Sequence, residues 1–255
     1  MSKLTGREFM QEKNLDYKAR ILSIKIHYSA AHTINIYSLQ LNRKMDYLPG
    51  QYIELASEDF KSRTNANKLK WSAFSIASSP IEDNLELCIR VNGIQGLTYH
   101  LAENKKVGDI LNVRGPFGTA TFEEDSFDEI ILVGLGTGIA WVISMLRTLI
   151  LKKDKRPIHM FCGFRNSHVY LYREELEAYA KKFPNFKLNT ALADPDPMWN
   201  GPLGYVQDLI KDYKFEQKKE KIPVYMCGPI KAILSVKTAM LNEGFNLDNL
   251  HYELW

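Results

Sequence analysis

A glycine-rich segment carries the clearest chemical pattern of the chain. It reads Val-Gly-Leu-Gly-Thr-Gly from Val133 to Gly138, between an apolar run that predicts a strand and one that predicts a helix. The first turn of a helix presents free backbone N–H groups and the positive end of the helix dipole, which suit a pyrophosphate. Because the spacing is G-x-G-x-G and not the usual G-x-G-x-x-G, a tight turn without a ligand is the alternative. We expect Gly136, Thr137 and Gly138 to bind a nucleotide.

Two further segments place reactive or aromatic side chains in predicted strands. Cys227, followed by Gly228 and Pro229, ends a strand and is expected beside the glycine segment. Buried cysteines more often pack than react, so an inert thiol is the alternative. Phe74 and Ser75 are adjacent in an earlier strand, where an ordinary structural role is the alternative.

Three other residues have both a chemical and a structural interpretation. Thr98 opens a short predicted helix, where its hydroxyl either caps the helix or donates to a phosphate. The sequence ends in Glu253-Leu254-Trp255, although termini usually fray unless they are held. An aromatic plane fixed there would cover a flat cofactor or simply fill an apolar gap.

Composition excludes several classes of protein. The 255 residues allow one large domain or two smaller ones, and 45% hydrophobic with 25% charged residues is ordinary for a globular chain. The three cysteines form no C-x-x-C pair, so we expect no disulfide framework and no metal site. A net charge of +3 indicates no nucleic-acid partner. Glycines interrupt the one long apolar run and the N-terminus is polar, so we expect no membrane span and a cytoplasmic location.

The two halves of the chain have different patterns. Short runs rich in Ile, Tyr and Leu, separated by turn signals, predict antiparallel strands that close into a small barrel. From about residue 128, apolar strands alternate with helical patterns, which is typical of a parallel α/β sheet. We therefore predict a β domain over residues 1–126 and an α/β domain over residues 127–255. The predicted helices are Leu97–Asn104, Ile139–Lys152, Tyr170–Phe183, Gly204–Lys211 and Ile230–Glu243.

Taken in order, the motifs resemble those of the ferredoxin–NADP reductase superfamily over nearly the whole chain. The matching segments are Pro49-Gly50-Gln51-Tyr52, Phe74-Ser75-Ile76-Ala77-Ser78, Gly96-Leu97-Thr98, Gly115-Pro116-Phe117-Gly118, the glycine segment, Cys227-Gly228-Pro229 and the terminal Glu-x-aromatic. The resemblance implies an antiparallel Greek-key flavin-binding barrel followed by a parallel-sheet nicotinamide-binding domain. It also implies a FAD-dependent oxidoreductase without an iron–sulfur domain, which takes hydride from NAD(P)H. The electrons then pass to a separate acceptor such as ferredoxin, flavodoxin or an oxygenase component.

The resemblance implies roles for individual residues. Phe74 would pack on the isoalloxazine, Ser75 would lie near flavin N5, and Ile76 would complete the flavin-binding strand. The Gly96–Thr98 segment would hold the flavin phosphates, and Trp255 would stack on the other flavin face. On the nicotinamide side, Cys227 would shape the pocket and Glu253 would orient the nicotinamide or relay a proton. Gly228 and Pro229 would complete that pocket.

Two positions depart from the family pattern. Ser72 stands where an arginine usually pairs with the flavin pyrophosphate, a charge-assisted contact worth about 1.5 to 3 kcal/mol. Lys68, Lys70 or Arg90 would compensate, or the cofactor is FMN. Trp141 replaces a proline that usually follows the glycine segment, and we expect it to change the nicotinamide loop.

Asp194 favours NADH over NADPH. It follows a predicted strand at a position where members that prefer NADPH commonly have Ser-Arg. A carboxylate there suits a ribose diol and repels a 2′-phosphate. Arg165 is expected to hold the pyrophosphate, while rescue of NADPH or a solvated loop arginine are its alternatives.

The acceptor is not evident from the sequence. The basic run from Lys152 to Arg156 is either a docking site for an acidic ferredoxin or flavodoxin, or a solvated helix end. Two alternatives to a free reductase stay open. One is an electron-transfer subunit that works only inside a larger complex. The other is a catalytically degenerate member that binds a nucleotide or a partner.

Overall fold

In the computed structural model, the described residues are 16–28, 32–63, 65, 67–122, 127–211, 213–215 and 218–254. They form one antiparallel six-stranded sheet and one parallel five-stranded sheet. This arrangement confirms the predicted fold class. The predicted boundary after residue 126 adjoins residues 123–126, which lie outside the described residues, so it stays a prediction.

The antiparallel sheet is closed into a barrel. Its strands are β1 (Asp16–Tyr28), β2 (Thr33–Leu41), β3 (Tyr52–Ala56), β4 (Ser72–Ser75), β5 (Leu85–Arg90) and β6 (Ile110–Phe117), with helix α1 (Leu97–Asn104) between β5 and β6. The strand order is β4-β3-β6-β1-β2-β5, and the two edges meet where Ile76 pairs with Leu87. Buried and exposed residues alternate at the start of β1, as expected of a strand with one face on a core.

The parallel sheet is sandwiched between helices. Its strands are β7 (Ile130–Leu135), β8 (Ile158–Phe164), β9 (Phe186–Leu192), β10 (Val224–Gly228) and β11 (Leu250–Leu254), and its helices are α2 (Ile139–Leu151), α3 (Arg173–Lys182), α4 (Val206–Lys211) and α5 (Ile230–Asn242). The order β11-β10-β7-β8-β9 puts the reversal of strand order between β7 and β10. Ligands of such sheets bind at this switch point, where the glycine segment and Cys227 lie.

Two helices begin later than predicted because left-handed residues precede them. Tyr172 has φ +57° and Gly204 has φ +114°, conformations that a right-handed helix cannot include. Helix α3 therefore starts at Arg173, after a separate 3₁₀ turn at Ser167–Val169. Helix α4 starts at Val206 for the same reason.

Helix α2 packs against both sheets. Every residue of this helix except Leu151 is buried. The core on its faces includes Ile36, Ala77, Cys88 and Phe122 from the antiparallel half together with residues of β7 and β8. None of the described helices combines the length and the apolar character needed to cross a bilayer.

Candidate active site

The glycine segment makes a tight link between β7 and α2. An added Cβ on Gly138 would lie 2.3 Å from the carbonyl oxygen of Cys227, and one on Gly134 would lie 2.9 Å from the backbone of α2. These two glycines are required by packing. Gly136 differs, because its φ is +56° and an added Cβ would meet no described atom within 4 Å. Gly136 and the half-buried Thr137 therefore face open space, while Gly138 is covered.

Sheet register brings the predicted nicotinamide-side residues together. Cys227 pairs with Gly134 on one side and with Glu253 on the other. Its side chain is 2% exposed, and burial, reinforced by the charge of Glu253, raises the pKa of the thiol to about 12. Cys227 is thus a neutral thiol that shapes the site, since a nucleophilic cysteine needs a lowered pKa. Burial also raises the pKa of the half-buried Glu253, so that its carboxyl holds a proton more readily than a free side chain.

The two residues after Cys227 have structural roles. An added Cβ on Gly228 would lie 2.7 Å from Cβ of Leu135, so only glycine lets β10 approach the end of β7. Pro229 is the N-cap residue of α5 and is half-buried. Both residues lie at the carboxyl edge of the sheet, where their backbone groups adjoin the glycine segment.

Arg165 and Asp194 form an ion pair at the ends of β8 and β9. The Nε of Arg165 donates to Oδ2 of Asp194 at 2.8 Å, and the backbone N–H of Asp194 donates to the Arg165 carbonyl at 2.8 Å. The two side chains are 63% and 47% exposed. An exposed pair contributes about 0–1 kcal/mol, so a ligand can separate it at small cost. Sequence reasoning placed both residues at the nucleotide but did not anticipate that they pair with each other.

The predicted flavin-side residues, which lie in β4 and directly after it, differ in their exposure to solvent. Phe74 is partly buried against the barrel core and Ser75 is half-buried. Ile76 is fully buried in that core and its N–H donates to the Gln51 carbonyl at 3.1 Å. Phe74 and Ser75 can therefore offer side chains to a ligand, while Ile76 can offer only backbone.

The start of α1 is open in the way a phosphate site requires. Gly96, its N-cap residue, has φ +110°, an added Cβ there would meet no described atom within 4 Å, and no described side chain caps the helix. Leu97 is buried in the barrel core and presents only its backbone. Oγ1 of Thr98 accepts the N–H of Asn92 at 3.1 Å, which leaves the hydroxyl proton available to a ligand. Uncapped N–H groups at a helix start bind anions.

Arg90 lies two residues before Asn92, whose N–H bonds to Thr98 at this opening. The Nε of Arg90, at the end of β5, is buried and has no hydrogen-bond partner among the described residues. Strand β5 also lies against the 3₁₀ turn at residues 136–138. Burial, together with the charges of Arg90 and Arg165, lowers the pKa of His32.

Arg63 is a residue that sequence reasoning missed. Its guanidinium donates to the side chain of Gln95, next to Gly96. Residues 61–70 contain four cations and no acidic residue, a signal that could have drawn attention to this loop. The predicted substitutes Lys68 and Lys70 are exposed residues of the same loop.

Two family models match consecutive parts of the chain. The oxidoreductase FAD-binding domain matches residues 22–122, and the oxidoreductase NAD-binding domain matches residues 132–237. This chain belongs to the ferredoxin–NADP reductase superfamily. The match confirms the predicted superfamily, the oxidoreductase class and the predicted FAD and NAD(P)H ligands.

Similar proteins include members of this superfamily from several bacteria. The phenol hydroxylase P5 protein of Acinetobacter pittii is 32% identical over 251 residues, which cover 96% of this chain and 67% of that protein. The reductase component of phenol 2-monooxygenase from a Pseudomonas species is 32% identical over 213 residues, covering 82% and 58%. A ferredoxin–NADP⁺ reductase structure from Neisseria gonorrhoeae superposes with a TM-score of 0.78 at 15% identity, covering 95% and 99%, which shows the common fold. The chain thus spans 58–67% of the length of these two curated relatives.

The residues present fit the two ligands of a ferredoxin–NADP reductase superfamily member. For FAD, the unpaired Nε of Arg90 and the open start of α1 at Gly96 provide a cationic and a backbone partner for a diphosphate. For the nicotinamide nucleotide, the left-handed Gly136 leaves room for a phosphate at the start of α2.

Three other predictions concern Trp141, the Lys152–Arg156 run and Trp255. Trp141 lies in the first turn of α2, is 1% exposed, and donates its indole N–H to the Gly50 carbonyl at 2.6 Å. The Lys152–Arg156 run lies at the opposite end of α2, about 20 Å from the glycine segment at 1.5 Å per residue. There Arg156 pairs with Asp154 at 2.6 Å. Trp255 lies outside the described residues.

Proposed function

We propose that this chain oxidises NADH, transfers the hydride to bound FAD, and passes the electrons to a separate protein. The observation that supports this most directly is the contact between the strand that carries Arg90 and the turn that carries Gly136. A flavin and a nicotinamide nucleotide anchored at these two elements can meet, as hydride transfer requires.

The proposed roles divide between the two halves. FAD, when bound, supplies the hydride acceptor. Phe74 supports the flavin ring and Ser75 hydrogen-bonds to its edge. Cys227 excludes water and shapes the nicotinamide side, and Glu253 orients the nicotinamide and holds a proton at its carboxyl. The stacking role expected of Trp255 stays a prediction, because this residue lies outside the described residues.

The visible absorption spectrum of the purified protein tests this function. We expect flavin absorption bands that bleach when NADH is added anaerobically. Ser75→Ala should retain FAD and slow the bleaching, by about 10²- to 10⁴-fold if Ser75 takes part in proton transfer. A protein that stays colourless after added FAD would refute the proposal and leave the degenerate, nucleotide-binding alternative.

NADH is the proposed hydride donor because Asp194 presents a partly exposed carboxylate just after the end of β9, at the carboxyl edge of the sheet. We expect bleaching to be faster with NADH than with NADPH. Asp194→Ser removes the carboxylate and frees Arg165, so the preference should shift toward NADPH by about tenfold, a change of about 1.4 kcal/mol. Asp83→Ser, which removes an exposed carboxylate from the antiparallel half, is the matched control and should leave the preference unchanged. An unchanged preference in Asp194→Ser would exclude this role for Asp194.

An oxygenase component is the proposed acceptor. The similar Pseudomonas protein is named a reductase component, which also supports the alternative of a subunit that works inside a complex. The basic loop at residues 61–70 is the proposed docking surface, because Arg63 places it beside the flavin phosphate opening. Charge reversal of Lys68 and Lys70 should slow reduction of an acidic acceptor without slowing bleaching by NADH. The cytoplasmic location stays a prediction, which cell fractionation would test.

A further inference from the structure

Three side chains on one face of α2 make hydrogen bonds to the antiparallel half. Trp141, Ser144 and Thr148 are spaced so that they lie on one face of the helix, and all three are buried. Trp141 donates to the Gly50 carbonyl at 2.6 Å, and Ser144 donates to the Ser78 carbonyl at 2.6 Å. The hydroxyls of Thr148 and Ser79 lie 2.8 Å apart. The helix that begins at the glycine segment is thus tied to the flavin-side half along its length.

The groups that α2 contacts adjoin the flavin-side strand. Ser78 and Ser79 follow Phe74-Ser75-Ile76 in the chain. Gly50 precedes Gln51, whose carbonyl accepts the N–H of Ile76 at 3.1 Å. Two independent paths therefore lead from α2 to Ser75, one along the chain from Ser78 and one across the Gln51–Ile76 hydrogen bond.

Trp141 joins these paths to the nicotinamide side. It lies one turn from Gly138, and its ring centroid is 6.2 Å from that of Tyr225 on β10, the strand that ends beside Cys227. Its acceptor has little freedom, because Gly50 has φ +98° and an added Cβ would lie 2.6 Å from the Ala120 carbonyl oxygen. A tryptophan wedged between a rigid turn and β10 fixes the separation of the two halves at this point.

We propose that Trp141 is a positioning residue, which sets the flavin-side strand Phe74–Ile76 against the nucleotide opening through its hydrogen bond to Gly50. This inference rests on the proposed function. Hydride transfer is sensitive to small displacements, and a misplacement of about 1 Å costs on the order of 10²-fold in rate. Trp141, one of the two positions at which this chain departs from the family pattern, would thus align the two halves of the chain through its bond to Gly50.

Trp141→Phe tests the proposal, because it keeps an aromatic ring in the core and removes the N–H. Its matched control is Tyr213→Phe, which removes the 2.6 Å contact to Nδ1 of His159 at the amino end of the parallel sheet, away from both openings. The measurements are the limiting rate of anaerobic flavin reduction, the Kd for NADH and the thermal unfolding midpoint. Hydrogen exchange at the Ile76 amide of the FAD-free protein is a measurement that needs no cofactor.

For Trp141→Phe we expect the limiting rate to fall at least about tenfold, with the Kd for NADH within about twofold of wild type. Exchange at Ile76 should become faster. Tyr213→Phe should lower only the unfolding midpoint. If the two variants lose rate equally, or if Trp141→Phe reduces flavin at the wild-type rate, Trp141 is only a structural residue and the proposal is overturned.

Two further measurements test the proposal if Trp141→Phe does not fold or if NADH does not reduce the wild-type protein. If Trp141→Phe does not fold, Ser144→Ala removes the neighbouring contact to Ser78 with a smaller change of volume, and should slow reduction severalfold. If the wild-type protein is not reduced by NADH, the proposed function fails. The exchange experiment then decides the positioning role separately, because unchanged exchange at Ile76 would contradict it.

Discussion

Replacement of Arg147 by methionine should be among the most destabilising changes where the antiparallel half packs against the α/β half. Its side chain is 8% exposed and donates to Glu175 through Nε and Nη2 at 2.7 Å each, and through Nη1 to Glu86 at 2.8 Å and to the Ala77 carbonyl at 3.2 Å. Burial opposes its charge, but the hydrogen bonds and charges of Glu175 and Glu86 outweigh burial and raise the pKa of Arg147 above its usual value. Arg147 therefore stays charged and links both halves.

The expected loss in free energy of unfolding depends on how far water can still reach the carboxylates of Glu86 and Glu175. Removing one partner of a buried pair costs about 3–5 kcal/mol. Glu86 and Glu175 keep 23% and 24% of their side-chain exposure, so water compensates in part. We expect Arg147→Met to lower the free energy of unfolding by about 2–4 kcal/mol, which corresponds to roughly 5–15 °C in Tm for a chain of this size.

Thermal and urea unfolding followed by circular dichroism measure this loss. Arg173→Met is the matched control, because Arg173 makes a 2.8 Å pair with Glu177 in which both side chains are 40% exposed. That change should cost no more than about 1 kcal/mol. Combining Arg147→Met with Glu86→Gln and Glu175→Gln should recover part of the loss, since no buried charge is then left unpaired. A loss below about 1 kcal/mol for Arg147→Met, or a triple variant less stable than the single one, would refute the reasoning.

Three further predictions concern the glycine segment, Glu253 and the cysteines. Gly138→Ala should disrupt the junction of β7 and α2, because its Cβ would lie 2.3 Å from the Cys227 carbonyl oxygen, whereas Gly136→Ala should cost only about 1 kcal/mol of backbone strain; equal unfolding midpoints for the two variants would contradict this. Burial raises the pKa of Glu253 in the folded protein, so ionisation of this carboxyl opposes folding at pH values above its unfolded pKa of about 4. Glu253→Gln should therefore stabilise the protein at pH 8 and have little effect at pH 4, which thermal unfolding of both proteins at the two pH values would show. All three cysteines are buried with raised pKa values, so iodoacetamide at neutral pH should label them only after unfolding, and mass spectrometry of the native protein should find no adduct.

The sequence was sufficient to predict the two sheets, because each has a strong local signature. Short runs rich in Ile, Tyr and Leu with turn residues between them predict the barrel, and alternating strands and helices predict the parallel sheet. The glycine segment could be placed at a strand–helix junction for the same reason. The pattern could not show that the glycines of this segment have different structural roles. Gly134 and Gly138 are fixed by contacts with Cys227 and α2, and only Gly136 faces open space, a distinction that depends on tertiary packing.

The side-chain contacts of the charged residues Arg165, Asp194 and Arg63 could not be predicted from the sequence either. Arg165 and Asp194 are 29 residues apart and were expected to contact different parts of a nucleotide, yet parallel neighbouring strands bring their side chains together at 2.8 Å. Arg63 was missed because its relation to Gln95 and Gly96 spans two loops. Such pairs depend on where loops meet in space, which local patterns do not encode.

The apolar character of α2 has the same physical origin as its polar contacts. A helix that is hydrophobic on all sides is buried on all sides, and α2 is enclosed by the parallel sheet on one face and the barrel on the other. In such a place a polar side chain is costly unless it is hydrogen-bonded. The three polar residues of this helix, Ser144, Arg147 and Thr148, all meet that condition by bonding to Ala77, Ser78 or Ser79 of the barrel half. A polar residue inside an otherwise apolar helix is therefore an indication of a partner segment, and here that segment directly follows the flavin-side strand.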